Sequence, residues 1–149
     1  MNAAEVINLT LTLHKAVAEY VAGETISGTA AWRALPEKTD LLSVRLIWYT
    51  QGKGDRDVDL VNSLDIEVVA ELQSGEQNFE FVAPHRPCSF SGKLIELTWA
   101  VELIAYPSKD SVVETLVIGP DGKAIELSKS YEVKKSQFGR VISNGRREA

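Results

Sequence analysis

The residue types best suited to nucleophilic catalysis in this chain lie in one proline-containing loop. His85 precedes Cys88 by three residues, with Arg86 between them. A thiol nucleophile needs a base beside it and a third group that orients that base. The loop supplies no third group, and its two prolines hold the chain extended, which tends to point neighbouring side chains apart. We therefore predict that the chain is not an enzyme and that Cys88 packs as a small apolar side chain.

Three aspartates at alternate positions, Asp55, Asp57 and Asp59, match the start of a calcium-binding loop. That loop needs glycine at its sixth position and glutamate at its twelfth, and this chain has Leu60 and Ile66 there. We therefore predict that no metal ion is bound. The aspartates are expected to form a solvated strand face that discourages pairing of sheet edges.

A glycine-rich turn next to these aspartates carries two cations. Lys53 lies between Gly52 and Gly54, and Arg56 follows. Backbone N–H groups in such turns can bind an anion, although a flexible hairpin tip is the simpler interpretation. The spacing is not that of a phosphate-binding P-loop, so neither a nucleotide nor any other cofactor is predicted.

Outside these loops, apolar and polar residues alternate with the period of a β-strand. Turns that contain glycine, proline or aspartate separate the alternating segments. No stretch has the periodicity of a long helix; His14 to Tyr20 is at most one helical turn or a loop. Seven strands are predicted, over residues 7–13, 25–33, 42–49, 57–72, 79–81, 95–103 and 112–118. This pattern predicts an all-β fold, an immunoglobulin-like two-sheet antiparallel β-sandwich, with a barrel as the alternative.

The phase of the alternation also predicts the core. All three tryptophans, Trp32, Trp48 and Trp99, lie on the apolar face of their strands and are expected to pack inside. Two phenylalanines, Phe79 and Phe81, are expected to point inward from the fifth strand. The sixth strand places five apolar side chains on one face: Ile95, Leu97, Trp99, Val101 and Leu103.

The fourth predicted strand is unusually long. Six apolar residues are expected to share one face: Val58, Leu60, Leu64, Ile66, Val68 and Leu72. Its length predicts a bend or a β-bulge near residues 62–63.

A second apolar surface is indicated by residues out of phase with the core. These are Ile47, Tyr49 and Val61. They are compatible with the wall of a ligand pocket, with a strand buried on both faces, or with a dimer interface.

Charge is distributed unevenly along the chain. Residues 129–149 carry six basic and two acidic side chains, a charge of +4, so the total of −5 leaves −9 on residues 1–128. An acidic body argues against nucleic-acid binding, which needs a cationic surface. We predict a sandwich domain over residues 1–128 and a basic C-terminal tail, either disordered or packed on the body. No signal peptide and no apolar run of membrane-spanning length is evident, so a cytoplasmic protein without an integral membrane segment is expected.

Three segments in order resemble the arrestin-like superfamily, particularly its small bacterial single-domain members and its N-terminal domain. They are YVAGETISGTAAW at 20–32, VRLIWYTQGKGD at 44–55 and FEFVAPHRPCSFSGKLIELTWAVE at 79–102. The third segment, in which a loop with two prolines leads into a strand that contains a tryptophan, is the most specific of them for the superfamily. The longer members have two sandwich domains, whereas this chain has the length of one, so phosphate sensing between domains is not implied.

The resemblance implies a non-enzymatic interaction or scaffold protein, as in the superfamily's sporulation-control members. We expect it to bind partner proteins through sheet edges and loops, with a homodimer through the same edges as an alternative. The residues expected to contact a partner lie in the hairpin tip and in the proline loop: Lys53, Arg56, His85, Arg86 and Ser89. A β-sandwich that binds a small ligand or carbohydrate is the competing functional hypothesis.

Overall fold

The computed structural model describes residues 2–6, 8–36, 38–52, 55–68, 74–92 and 94–126. Within these ranges the chain forms β-strands and a single 3₁₀ turn at Pro120–Gly122. No helix in these ranges has the length and apolar character needed to cross a bilayer. The strands are β1 (Asn2–Val6), β2 (Leu9–Leu13), β3 (Glu19–Tyr20), β4 (Thr25–Trp32), β5 (Leu41–Gly52), β6 (Asp55–Glu67), β7 (Gly75–Val82), β8 (Phe90–Ser91), β9 (Glu96–Tyr106), β10 (Ser111–Ile118) and β11 (Ile125–Glu126).

Two sheets face each other, which confirms the predicted all-β sandwich. The smaller sheet is antiparallel, in the order β1-β2-β4-β7. In the larger sheet β5 pairs with β6 on one side and with β9 on the other. The second edge of β9 pairs with β10 and, near its start, with β8. Two short parallel pairings complete this sheet, β3 with β10 and β11 with β8.

The seven alternating segments correspond to β2, β4, β5, β6, β7, β9 and β10, while β1, β3, β8 and β11 were not predicted. The segment from His14 to Tyr20 forms a loop that ends in β3, rather than a helical turn. The proposed domain boundary and the basic tail 129–149 lie outside the described residues, as do Lys53 and residues 69–73.

The core forms where the apolar faces of the two sheets meet. Trp99 is fully buried, and Trp32 and Trp48 are partly buried against the core, as predicted. Phe79 and Phe81 are buried with their ring centroids 5.7 Å apart. The prediction for Ile95 was wrong, because β9 begins one residue later and leaves this side chain 45% exposed.

Close packing between neighbouring strands of the smaller sheet requires a glycine in the middle of β4. A Cβ atom on Gly28 would lie 2.4 Å from the carbonyl oxygen of Thr12 and 2.5 Å from the ring of Phe79. Both distances are far below van der Waals contact. The small residue is therefore what allows β2 and the Phe79 ring to pack against β4.

A β-bulge divides β6 into two halves of opposite phase. Leu46 pairs with Asn62 and Ile47 pairs with Leu60, so Val61 is the extra residue. This confirms the predicted bulge to within one residue. It also means that the expectation of a single apolar face was wrong, because one inserted residue turns every side chain before it to the other face of the sheet.

The loop between β2 and β4 is held by the side chain of Lys15. Its ammonium group donates hydrogen bonds to the Glu19 carbonyl oxygen and, at 2.6 Å, to the Glu24 carboxylate. The same group lies 4.7 Å from the centroid of the Tyr20 ring, a cation–π contact. Glu24 also accepts a hydrogen bond from the backbone N–H of Val21. These contacts close the loop over the buried Tyr20 ring.

The pKa of Glu24 is lowered from its usual 4.5. The main cause is the hydrogen bond that Lys15 donates to the charged carboxylate, and the second is the hydrogen bond from the Val21 N–H. A carboxyl group whose pKa is lower in the folded state stabilises the fold above its unfolded pKa, and this contribution is lost as the pH falls through the folded pKa. We therefore expect Glu24→Gln to lower the free energy of unfolding at neutral pH, and we expect this loss to become smaller as the pH falls. Urea unfolding of both proteins across the acidic range measures this. In a Lys15→Met background the pH-dependent difference should be smaller; an unchanged difference would contradict the assignment.

Candidate functional site

The loop that carries His85, Arg86 and Ser89 takes the chain from one sheet to the other. At its start, the N–H of Ala83 donates to the Glu24 carbonyl oxygen, and its carbonyl oxygen accepts from Gly23, next to β4 of the smaller sheet. At its end, the N–H of Ser89 donates to the carbonyl oxygen of Ile118 at the end of β10. The loop, residues 83–89, is hereafter called the crossing loop. Both of its ends are therefore fixed by backbone hydrogen bonds.

The middle of the crossing loop is fixed by the buried tryptophan. The indole N–H of Trp99 donates to the carbonyl oxygen of Pro87 at 2.8 Å. A buried indole needs such a partner, and a backbone carbonyl supplies it here. The segment that resembles the arrestin-like superfamily is thus one structural unit, in which strand and loop hold each other.

No described hydrogen bond links the histidine and the cysteine of the crossing loop. His85 is exposed and Cys88 is half-buried. The hydrogen bonds found among the described residues do not link these two side chains, and Arg86 is exposed beside them. His85 and Arg86 are therefore surface groups at the bend of a fixed loop.

Ser89 is the one candidate contact of the crossing loop that the fold encloses. It is only 4% exposed, and its Oγ accepts a hydrogen bond of 3.0 Å from the N–H of Ile118. Its carbonyl oxygen accepts a second bond, from the N–H of Ile125 in β11. Ser89 therefore joins the loop to β10 and β11. His85 and Arg86 are the residues of the crossing loop that are exposed.

The hairpin between β5 and β6 carries the other candidate residues. Lys53 and Gly54 lie outside the described residues. The guanidinium group of Arg56 lies 4.2 Å from the centroid of the Tyr49 ring, where it forms a cation–π contact. Asp57 and Asp59 are exposed. No group of three potential metal-ligating side chains occurs within the ranges that the structure describes.

The outer face of the larger sheet carries an apolar patch along the first half of β6. Here Val58 pairs with Tyr49 and Leu60 pairs with Ile47, so all four side chains lie on the face away from the core. Ile47 is buried within this face, whereas Val58 and Leu60 are 55% and 49% exposed. With Val61, which is 41% exposed, these residues are hereafter called the outer patch.

The candidate partner-binding residues of the β5–β6 hairpin and those of the crossing loop are not joined by any described contact. Register places Arg56 opposite Gln51, which pairs with Glu96, and Glu96 pairs with Ser91 of β8. This row spans three inter-strand distances, or about 14 Å. The described contacts do not join Arg56 to His85 or Arg86. The hairpin lies at one edge of the larger sheet and the crossing loop connects the two sheets, so they are separate features.

Sequence reasoning anticipated a second apolar surface through Ile47, Tyr49 and Val61. It missed that Val58 and Leu60 belong to this surface and that the second edge of β6 pairs with none of the described strands. The out-of-phase residues Ile47, Tyr49 and Val61 were the available signal, because they marked apolar side chains on a second face. Val58 and Leu60 were given the same face as Leu64 and Ile66 because the alternation was followed through the strand without the change of phase that the predicted bulge introduces.

No family model and no curated protein matches this chain. Among solved structures it is similar to Spo0M, a sporulation control protein from Bacillus subtilis, with 16% identity and a TM-score of 0.48. The match covers 80% of this chain and 51% of Spo0M, so the chain spans about half of that protein's length.

The chain is also similar to a beta-glucosidase from Listeria innocua, in structures with gluconolactone and with glucose. Each match has 12% identity and a TM-score of 0.43, and covers 82% of this chain and 16% of the beta-glucosidase.

We expect Ser89→Ala to lower stability because it leaves the buried N–H of Ile118 without its acceptor. The loss of an acceptor from a buried N–H costs about 1–3 kcal/mol. The control is Ser91→Ala at an exposed position of β8, expected to change the free energy of unfolding by less than about 0.5 kcal/mol. Urea unfolding of the three proteins measures both. Equal effects of the two substitutions would show that Ser89 is not the structural link described here.

Proposed function

We propose that this chain is a non-enzymatic, cytoplasmic protein-interaction module that binds partner proteins through the free edge of β6 and through exposed loop residues. The observation that carries the proposal is the edge itself. β6 is 13 residues long and, among the described strands, pairs only with β5. Its second edge therefore offers a row of backbone N–H and C=O groups to an added strand.

The exposed side chains of β6 support a protein as the ligand. Val58, Leu60, Val61 and Leu64 are all at least 36% exposed. Single exposed apolar residues are ordinary on a protein surface. Four on one strand, with Val58 and Leu60 on its outer face and Leu64 on its core side, form an apolar margin beside backbone groups that no described strand pairs. A partner strand would satisfy the backbone and cover this margin at the same time.

Loop residues are proposed as the second part of the surface. Arg56 is exposed at the base of the hairpin, and His85 and Arg86 are exposed on a loop whose ends are fixed. A fixed loop loses little conformational entropy when it binds, which favours recognition. Lys53, at the hairpin tip, belongs to the same proposal.

Photo-crosslinking tests the proposed function. A benzophenone amino acid replaces Leu60 on β6 in one variant and Arg86 on the crossing loop in another. A matched control carries it at Val17, which is 61% exposed and lies in the loop before β3. We expect discrete protein adducts from the Leu60 or Arg86 variant in the native cell that the Val17 variant does not form. Adducts shared by all three variants, or none from either test position, would contradict the proposal.

The enzymatic alternative is tested at the only thiol of the chain. Under the proposal, Cys88→Ser leaves the pattern of crosslinked adducts unchanged, because the thiol has no chemical role. A small-ligand alternative is tested by thermal unfolding with glycans and nucleotides, where we expect no rise in Tm. Loss of a turnover activity in Cys88→Ser, or a ligand-dependent rise in Tm, would count against an interaction module.

A further inference from the structure

We propose that the free edge of β6 accepts a partner strand in which lysine or arginine alternates with apolar residues, with one phase step in the middle. This inference rests on the proposed function and specifies the chemistry of its partner. It follows from the pattern of charges and apolar side chains that the bulge at Val61 creates along β6.

The first half of β6 presents acidic groups on one face and apolar groups on the other. Asp57 pairs with Thr50 and Asp59 pairs with Trp48, which places both carboxylates on the core side of the sheet, at its open margin. Val58 and Leu60 lie on the opposite face, in the outer patch. A strand added here meets carboxylates with one set of alternate side chains and apolar groups with the other.

The second half of β6 reverses this arrangement. Leu64 pairs with Val44 and Ile66 pairs with Leu42, so both apolar side chains face the core. Asp65 lies on the outer face, where it accepts a hydrogen bond from Ser43 Oγ at 2.9 Å. The acidic and apolar faces therefore exchange at Val61, and a complementary strand must change phase at the same level.

Charge selects the kind of partner. Residues 55–67 contain five carboxylates and one guanidinium group, a net charge of −4. Two copies paired antiparallel about Val61 would place Asp57 opposite Asp65 and Asp55 opposite Glu67. Like charges at directly opposed positions destabilise a strand pair, whereas opposite charges stabilise it. The edge thus disfavours a second copy of itself and favours a basic strand.

Synthetic peptides test this inference on the full chain. The probe is KVKVKKVKVK, which alternates lysine and valine, steps phase once and has the same sequence in both directions, so it suits parallel or antiparallel pairing. The block peptide KKKVVVVKKK has the same composition and charge without the alternation. We expect it to bind at least about tenfold more weakly in fluorescence anisotropy. The glutamate counterpart EVEVEEVEVE should show no binding at the same concentrations.

Two further measurements separate strand addition from simple charge attraction. Two N-methylated forms of KVKVKKVKVK, one methylated at the odd and one at the even backbone amides, keep the charge of the peptide. We expect one of the two forms to bind about tenfold or more weakly, because its methyl groups remove the hydrogen bonds to β6. Hydrogen exchange should show new protection confined to residues 55–67. Protection of this strand in the free protein equal to that of central β5 would mean that the edge is already covered, and would overturn the inference.

A charge-matched pair of variants locates the site. Asp57→Asn with Asp59→Asn and Asp65→Asn removes three charges from β6 and retains the oxygen that accepts from Ser43. We expect the peptide to bind this variant about tenfold more weakly. The control removes three charges elsewhere, in Asp110→Asn with Glu114→Gln and Asp121→Asn, and should bind as the natural chain does. Equal weakening in both variants would overturn the inference.

The two proposals fail separately. If KVKVKKVKVK and its block form bind equally while the Leu60 variant still crosslinks to discrete proteins, the basic alternating strand is wrong and the interaction module stands. If neither the Leu60 nor the Arg86 variant crosslinks, the proposed function itself is wrong, and peptide binding would then be a property of the exposed edge alone.

Discussion

Burial of β9 is the constraint on which the larger sheet and the crossing loop both depend. This strand pairs with β5 along its length and with β10 and β8 on its other edge. Its core-facing side chains Trp99, Val101 and Leu103 are fully buried, and burial of side chains of this size is the main source of stability in a domain without disulfides. Because the Trp99 indole also binds Pro87, the strand that fills the core holds the loop that crosses between the sheets.

The fold separates structural from exposed polar groups over very short stretches of chain. In the crossing loop, Ser89 is enclosed and bound to the backbone, while His85 and Arg86 three to four residues earlier are exposed. On β6, Asp65 is bound to Ser43, while Asp57 and Asp59 face solvent at an open edge. In each case polar residues that are close in sequence have different roles, because the local pairing of the backbone decides which side chains are covered.

The bulge at Val61 gives the molecule an unusual edge. Natural sheets protect their edges with charges, bulges and twist, and β6 has both charges and a bulge. These features normally prevent indiscriminate pairing. Five of the six charges along β6 are negative, and apolar residues are exposed between them. Like charges at opposed positions disfavour pairing of this edge with a second copy of itself, and this is the basis of our proposal that it accepts a strand of complementary charge.

Local alternation was sufficient to predict the fold class and most of the core, since side chains in a strand alternate between faces whatever the tertiary context. It identified Phe79, Phe81 and the three tryptophans as inward-facing. It missed the two-residue strands β3, β8 and β11, because their pairing depends on partners distant in sequence rather than on a local pattern.

Only the tertiary structure decided three properties: that no described strand pairs with the second edge of β6, that Val58 and Leu60 belong to the outer patch, and that Ser89 is buried. A strand's second edge is free or covered according to which strands lie beside it, and Val58 and Leu60 are exposed because one unpaired residue shifts their phase. The alternation of apolar and polar residues along the chain predicts neither property.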